Sequence, residues 1–229
     1  MKTHSEAAFE ALIEQHLLAH GYVSRPSTAY DPDLALLPDD LLAYIEQTQP
    51  KAWTKQQGIH GDALRSNLLA AFDKATKHQG VLDVIRKGFK FYGSTIRVAT
   101  FRPAHGLNPE VEATYAANRL AVVRQVHHDP KRPGDSLDLV LFLNGIPIVT
   151  AELKNKLTGQ NVEDAKQQYR YDRDADAPIF RFKRRALVHF AVGSDQAWMT
   201  TRLMGKSTYF LPFNRGNGTA SGNPSVEGK

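Results

Sequence analysis

The chain has no cysteine. That absence removes disulfide frameworks, thiolate zinc sites, iron–sulfur clusters and cysteine nucleophiles together, so any bound metal must be held by oxygen or imidazole. No unbroken apolar stretch approaches the roughly 20 residues of a membrane span. The first residues, Met1-Lys2-Thr3-His4-Ser5-Glu6, lead into an acidic amphipathic pattern instead of the apolar core of a signal peptide. The expectation is a cytoplasmic protein without a membrane partner. Neither sign of charge dominates: Lys and Arg number 29 and Asp and Glu 24, for a net charge of +5. That excess favours a polyanionic partner without demanding one. What is present, 41% hydrophobic residues over 229 positions, suffices for a folded core and argues against disorder.

The apolar period divides the chain. Over residues 5–20, Ala8, Phe9, Leu12, Ile13, Leu17 and Leu18 recur three and four apart, and Gly21 follows where a left-handed cap belongs. This predicts an amphipathic first helix. Pro38-Asp39-Asp40 opens a second helix, and further helical patterns cover 61–77 and 81–86, so 38–87 reads as a helical insertion. After Gly88 the period shortens. Short strands are expected at 90–92 and 95–100, a helix or turn at 108–117, and strands at 119–126, 186–192 and 197–201, with a helix over 160–171. The folded unit is expected to span 1–213. Residues 214–229, Gly-rich and almost without apolar side chains, read as a linker or disordered tail.

The strongest local signal is a hairpin: residues 137–143, the turn pair Asn144-Gly145, and residues 146–153. Both arms are apolar on both faces, as central strands of a covered sheet are. Asp138 and Glu152 interrupt them, and Lys154 follows Glu152 on the same face. Glu-x-Lys alone is common and reads as a structural ion pair. A second carboxylate on the adjacent arm, in an equally apolar setting, changes the weighing, because buried charges need partners or a metal. Register supplies a test. With a plain two-residue loop Asp138 would pair with Ala151, and the two carboxylates would face opposite sides of the sheet. A shared site requires a three-residue loop or an equivalent bulge, and that is the expectation. Converged, Asp138 and Glu152 can hold Mg2+, with Mn2+ as a substitute, while the Lys154 ammonium holds water and stabilises phosphate charge. Gln167 and Tyr171, four apart on the following helix, can contact phosphates or the catalytic groups.

These residues resemble a known family. Asp138, Gly145-Ile146-Pro147-Ile148-Val149 and Glu152-Leu153-Lys154-Asn155 are similar to the PD-(D/E)XK nuclease core, with Leu137 where proline is usual. Arg124-Gln125-Val126, Gln167-x-x-x-Tyr171 and Phe210-Leu211-Pro212-Phe213-Asn214 extend the resemblance to the N-terminal endonuclease domain of the type I restriction enzyme R subunit, over about residues 5–214. The resemblance implies an α/β fold with a PD-(D/E)XK restriction-endonuclease-like core, a mixed central sheet flanked by helices and an added helical region. It implies Mg2+-dependent cleavage of double-stranded DNA in a complex with methyltransferase and specificity subunits. Asp138 and Glu152 would be the metal ligands, Lys154 the catalytic lysine, Gln167 and Tyr171 the supporting motif, and Glu10 of the first helix, in preference to Glu6, a further carboxylate. ATP would be needed by motor lobes of the full subunit, which this chain is expected to precede.

Other signals are weaker. Lys131 and Arg132 before the hairpin, and the run Arg181, Lys183, Arg184 and Arg185, could guide a DNA backbone, although a basic run is commonly a solvated edge. Met204-Gly205-Lys206-Ser207-Thr208 mimics the end of a phosphate-binding loop, but Thr200 stands where that loop requires glycine, so ATP binding by this chain is rejected. His16 and His20 lack an intervening Glu, and His127-His128 are adjacent, so neither pair forms a zinc ligand set. Trp53 and Trp198 read as core. A second reading, a non-catalytic module that docks DNA or partner subunits, keeps the fold and parts from the first at divalent-metal binding.

Overall fold

The computed structural model describes residues 6–104, 108–155 and 159–214. The chain runs α1 (Glu6–Ala19), β1 (Tyr22–Ser24), α2 (Pro38–Thr48), α3 (Pro50–His60), α4 (Leu64–Gln79), α5 (Val81–Lys87), β2 (Phe89–Phe91) and β3 (Ser94–Ile96). It continues through α6 (Pro109–Ala116), β4 (Leu120–His127), β5 (Ser136–Leu143), β6 (Ile146–Leu153), α7 (Val162–Gln167), β7 (Val188–Val192), β8 (Ala197–Thr200) and β9 (Leu211–Asn214). Seven strands form one mixed sheet in the order β1-β4-β5-β6-β7-β8-β9, and β2 and β3 form a separate hairpin. β1 lies parallel to β4 and β6 parallel to β7; the other neighbours are antiparallel. The expected tail beyond Asn214 lies outside the described residues; Asn214 itself closes β9.

The 136–153 hairpin is central in this sheet, which explains why its arms are apolar on both faces. Phe9, Ile13 and Leu17 of α1 pack with Val122, Leu139, Ala151 and Leu153 on one side. On the other, Val123, Val140, Phe142 and Ala191 join Ala165, Tyr169, Ile179 and Phe180. A separate cluster of Leu41, Ile45, Leu68, Phe72, Val84 and Phe89 holds α2 to α5 together, and Ile146 of the hairpin belongs to it. Trp53 and Trp198 are half-buried against these clusters, as expected of core residues.

Local chemistry fixes the hairpin turn. Asn144 and Gly145 have φ of 49° and 78°, the left-handed pair that a two-residue turn of matching twist requires. Asn144 is fully buried: its Oδ1 accepts from Arg119 N at 2.7 Å, and its Nδ2 donates to Val98 O at 2.9 Å. Gly145 O accepts from Leu37 N at 2.8 Å, and a Cβ on Gly145 would lie 2.3 Å from Leu37 O. The helical region is therefore docked on the turn end of the hairpin. The opposite end, where β5 begins and β6 finishes, lies about 24 Å away by strand rise.

Three elements are absent from the sequence reading. α3 buries only Gln56, so it has no apolar stripe; Pro50 starts it, and the Gln56 amide donates to Ser94 Oγ at 3.0 Å. β1 is three residues long, and β9 carries Pro212 on the sheet edge. The expected helix over 160–171 is corrected. It is α-helical only to Gln167 and then becomes a π-helical turn, Gln168–Asp172, closed by Arg173 N donating to Gln168 O at 3.1 Å.

Candidate active site

The register test is resolved by a bulge. At the turn Leu143 pairs with Ile146 and Phe142 with Pro147; the pairing then shifts, so that Leu141 meets Val149, Val140 meets Thr150 and Leu139 meets Ala151. Ile148 is the extra residue. The loop has two residues, and the bulge supplies the odd one that the shared site requires. One further step along the register sets Asp138 opposite Glu152, a pairing whose Cβ atoms lie about 5 Å apart.

Glu152 is fully buried. Its Oε1 accepts from Arg173 Nε at 2.6 Å, and its Oε2 has no hydrogen-bond partner among the described residues. Burial pushes its carboxyl up to about 8; Asp138 adds to that, and Arg173 and Lys154 oppose it. Asp138 is half-buried, and its Oδ2 accepts from Leu153 N at 2.7 Å across the strand pair. Lys154 is buried, with its Nζ 3.3 Å from Glu6 Oε1 on α1. Thus Asp138, Glu152 and Lys154 gather at the open end of the central strands.

Helix α1 brings both of its candidate carboxylates to this end. Glu10 is buried, accepting from Arg124 Nε at 3.2 Å and Gln125 Nε2 at 2.8 Å. Burial raises its pKa, the Asp138 charge raises it further, and the Arg124 and Gln125 bonds pull the other way. Gln125 links it to Asp138, whose Oδ1 lies 3.4 Å from the same Nε2, and Ser136 Oγ donates to Gln125 Oε1 at 2.8 Å. Gln125 holds φ of 50° inside a strand, a conformation uncommon outside glycine and concentrated at functional sites. Among the described residues no three acidic or histidine side chains form a ready metal cluster. The arrangement instead offers a carboxylate pair: Oε2 of Glu152, unpartnered among the described residues, and Oδ1 of Asp138, which has a long contact to Gln125. These oxygens fit a hard divalent cation that takes the rest of its shell from water and phosphate.

Two residues at the site were assigned no role from the sequence, Arg173 against Glu152 and Gln125 against Asp138. Arg173 follows a π-helical turn that leaves no periodic trace. Gln125 had a signal, since Arg124-Gln125 is a polar pair within an apolar strand. Behind the site Thr150 Oγ1 is 2.8 Å from both Tyr169 OH and His189 Nδ1, and burial lowers the His189 pKa to about 3.

The remaining expected residues divide. Gln167 and Tyr171 are both exposed, and among the described residues neither is hydrogen-bonded to Asp138, Glu152 or Lys154; the π-turn between them breaks the i, i+4 alignment read from a regular helix. Lys131 is exposed beside the site end of β5. Arg132 is tied to Asp129 at 3.1 Å and to Asp172 O at 3.0 Å. Arg181, Lys183, Arg184 and Arg185 precede β7, whose Val188 pairs with Val149 near the turn end, so the run sits at the opposite end of the sheet from Glu152. Arg181 and Lys183 are exposed there. The DNA-contact expectation is corrected for Arg185, which is 3% exposed and donates to Asp73 Oδ1 at 2.6 Å, Leu34 O at 2.6 Å and Thr76 Oγ1 at 2.9 Å. Arg184 is also drawn to Asp73, at 3.1 Å; both arginines clamp α4 onto the sheet.

A mixed seven-strand sheet flanked by helices, with Asp138 on one central strand and Glu152-x-Lys154 on the next, is a PD-(D/E)XK-like nuclease core. Residues 3–208 match the family model described as the type I restriction enzyme R protein N terminus, and the chain belongs to that family. A search of curated proteins finds no match. Among the described residues no helix is long and apolar enough to cross a membrane.

Proposed function

We propose that this chain is the DNA-cleaving domain of a type I restriction enzyme R subunit and hydrolyses phosphodiester bonds of double-stranded DNA with a divalent cation. The observation that carries the reading is the bulge at Ile148, which sets Asp138 opposite Glu152 while Glu152 Oε2 stays buried without a partner among the described residues. Asp138 and Glu152 are the residues that would hold Mg2+ or Mn2+. When bound, such a cation stabilises charge on the phosphate and acidifies a water molecule. Lys154, held against Glu6, places a second positive charge beside the scissile phosphate and can orient the attacking water. Glu10 and Gln125 brace Asp138 from α1 and β4. Gln167, Tyr171 and Lys131 present exposed groups to the DNA backbone, which is bound without reading sequence.

The methyltransferase and specificity subunits supply recognition in this reading, and ATP-driven motor lobes bring the DNA to the site. The test is cleavage by the assembled enzyme carrying Asp138→Ala, Glu152→Ala or Lys154→Ala. Each is expected to abolish cutting while ATP-driven translocation continues. Full cleavage by Glu152→Ala would show the roles to be misassigned.

A further inference from the structure

We propose that Arg173 is a positioning residue for the metal-binding carboxylate, and that the π-helical turn Gln168–Asp172 exists to deliver it. The inference rests on the metal-site reading above and assigns a role to two features which that reading leaves unused.

Arg173 is 8% exposed and spans the end of the hairpin. Its Nε donates to Glu152 Oε1 at 2.6 Å and its Nη2 to Ser136 O at 2.6 Å, so one guanidinium ties the carboxylate on β6 to the start of β5. Burial alone would lower the Arg173 pKa, but the Glu152 carboxylate outweighs it and raises the value, so the guanidinium stays charged. The two oxygens of Glu152 are thereby made unequal. Oε1 is held, and Oε2 is buried without a partner among the described residues, on a carboxylate that feels the charge of Asp138. An arginine that merely neutralised the carboxylate would do so best by engaging both oxygens side by side. Engaging one and fixing the plane of the group leaves the other free to ligate, which is how hydrogen-bonded outer groups orient ligands in metal sites.

The π-turn explains how Arg173 reaches this position. In it the ring-closing bond runs from Arg173 N to Gln168 O, five residues back, so one residue is inserted relative to an α-helix. That insertion turns the chain by about 100° at Arg173. The same turn buries Tyr169 against Thr150 on β6, two residues from Glu152. A wider turn is less favourable than an α-helical one and is found often at functional sites, where a side chain must be aimed.

The test uses Mn2+ alone as the probe, with calorimetry and electron spin resonance on the intact chain, comparing wild type, Arg173→Met, Arg173→Lys and Arg184→Met. Arg173→Met should weaken Mn2+ binding about 10-fold or more, and Arg173→Lys should recover part of the loss. Arg184→Met removes an ion pair at the far end of the sheet and should leave Mn2+ affinity unchanged whatever its cost in stability. Circular dichroism establishes that each variant is folded before titration; if Arg173→Met does not fold, Arg173→Lys and Arg173→Gln carry the comparison. Unchanged or tighter Mn2+ binding in the folded Arg173 variants would overturn the proposal, the tighter result meaning that the guanidinium competes with the cation. Failure of wild type to bind Mn2+ at all would instead overturn the metal-site reading beneath it.

Discussion

Acidification from pH 7 to pH 5 should destabilise this protein through two histidines sealed behind the site. His189 is 1% exposed, with a pKa lowered to about 3 by burial; His128 is fully buried, with a pKa lowered to about 4, chiefly by burial and further by the Arg173 charge. Both are neutral in the folded protein at pH 5, whereas in the unfolded chain an imidazole near 6.5 is mostly protonated there. The unfolded state then binds more protons, so stability is greatest above the unfolded value and falls as pH drops toward the folded values. Linkage gives about 2 kcal/mol lost per histidine between pH 7 and pH 5, or about 4 kcal/mol together. Glu152 works the other way, because a carboxyl raised to about 8 in the folded protein binds its proton before the unfolded chain does; that returns about 2 kcal/mol over the same interval and leaves a net loss of about 2 kcal/mol. His128 isolates the effect, because among the described residues neither ring nitrogen has a hydrogen-bond partner and its ring packs 5.1 Å from that of Phe180, so leucine can replace it without breaking a bond seen there. Urea unfolding of wild type and His128→Leu at both pH values should show the variant losing about 2 kcal/mol less. Parallel losses in the two proteins would refute the claim that buried His128 stays neutral in the folded protein at pH 5.

Gly145→Ala should cost about 3 kcal/mol or more in urea unfolding, since it adds left-handed strain to a clash with the Leu37 carbonyl; a loss below about 1 kcal/mol would mean that α2 is not docked on the turn as described. Arg185→Met should destabilise the chain by about 3 kcal/mol while leaving the salt dependence of DNA binding by the assembled enzyme unchanged. Lys131→Gln should do the reverse, lowering the slope of log affinity against log salt by about 1 with stability within about 0.5 kcal/mol of wild type. A salt slope that responds to Arg185 and not to Lys131 would relocate the DNA surface.

The central hairpin is readable because Asn144-Gly145 between two largely apolar arms admits few alternatives, and a shared face for Asp138 and Glu152 requires an irregularity in their pairing. Whether a loop or a bulge supplies it is not legible in the sequence, since Ile146-Pro147-Ile148-Val149 carries no mark of which residue goes unpaired. α3 escaped notice because it is held by the polar Gln56 and not by an apolar face. Arg173 escaped because the π-turn changes the helical period within one turn, so residues four apart no longer share a side. The basic run was misleading in part for a related reason. Charge in sequence does not say which arginine is turned inward, and Arg185 is spent on Asp73, 112 positions away in the chain.

The most direct test of the central claim is anomalous diffraction from crystals soaked in Mn2+. The account predicts one strong peak at the open end of β5 and β6, about 2.1 Å from an oxygen of Asp138 and an oxygen of Glu152, and absent from Asp138→Asn crystals. No peak between these carboxylates, or a peak that survives Asp138→Asn, would contradict it.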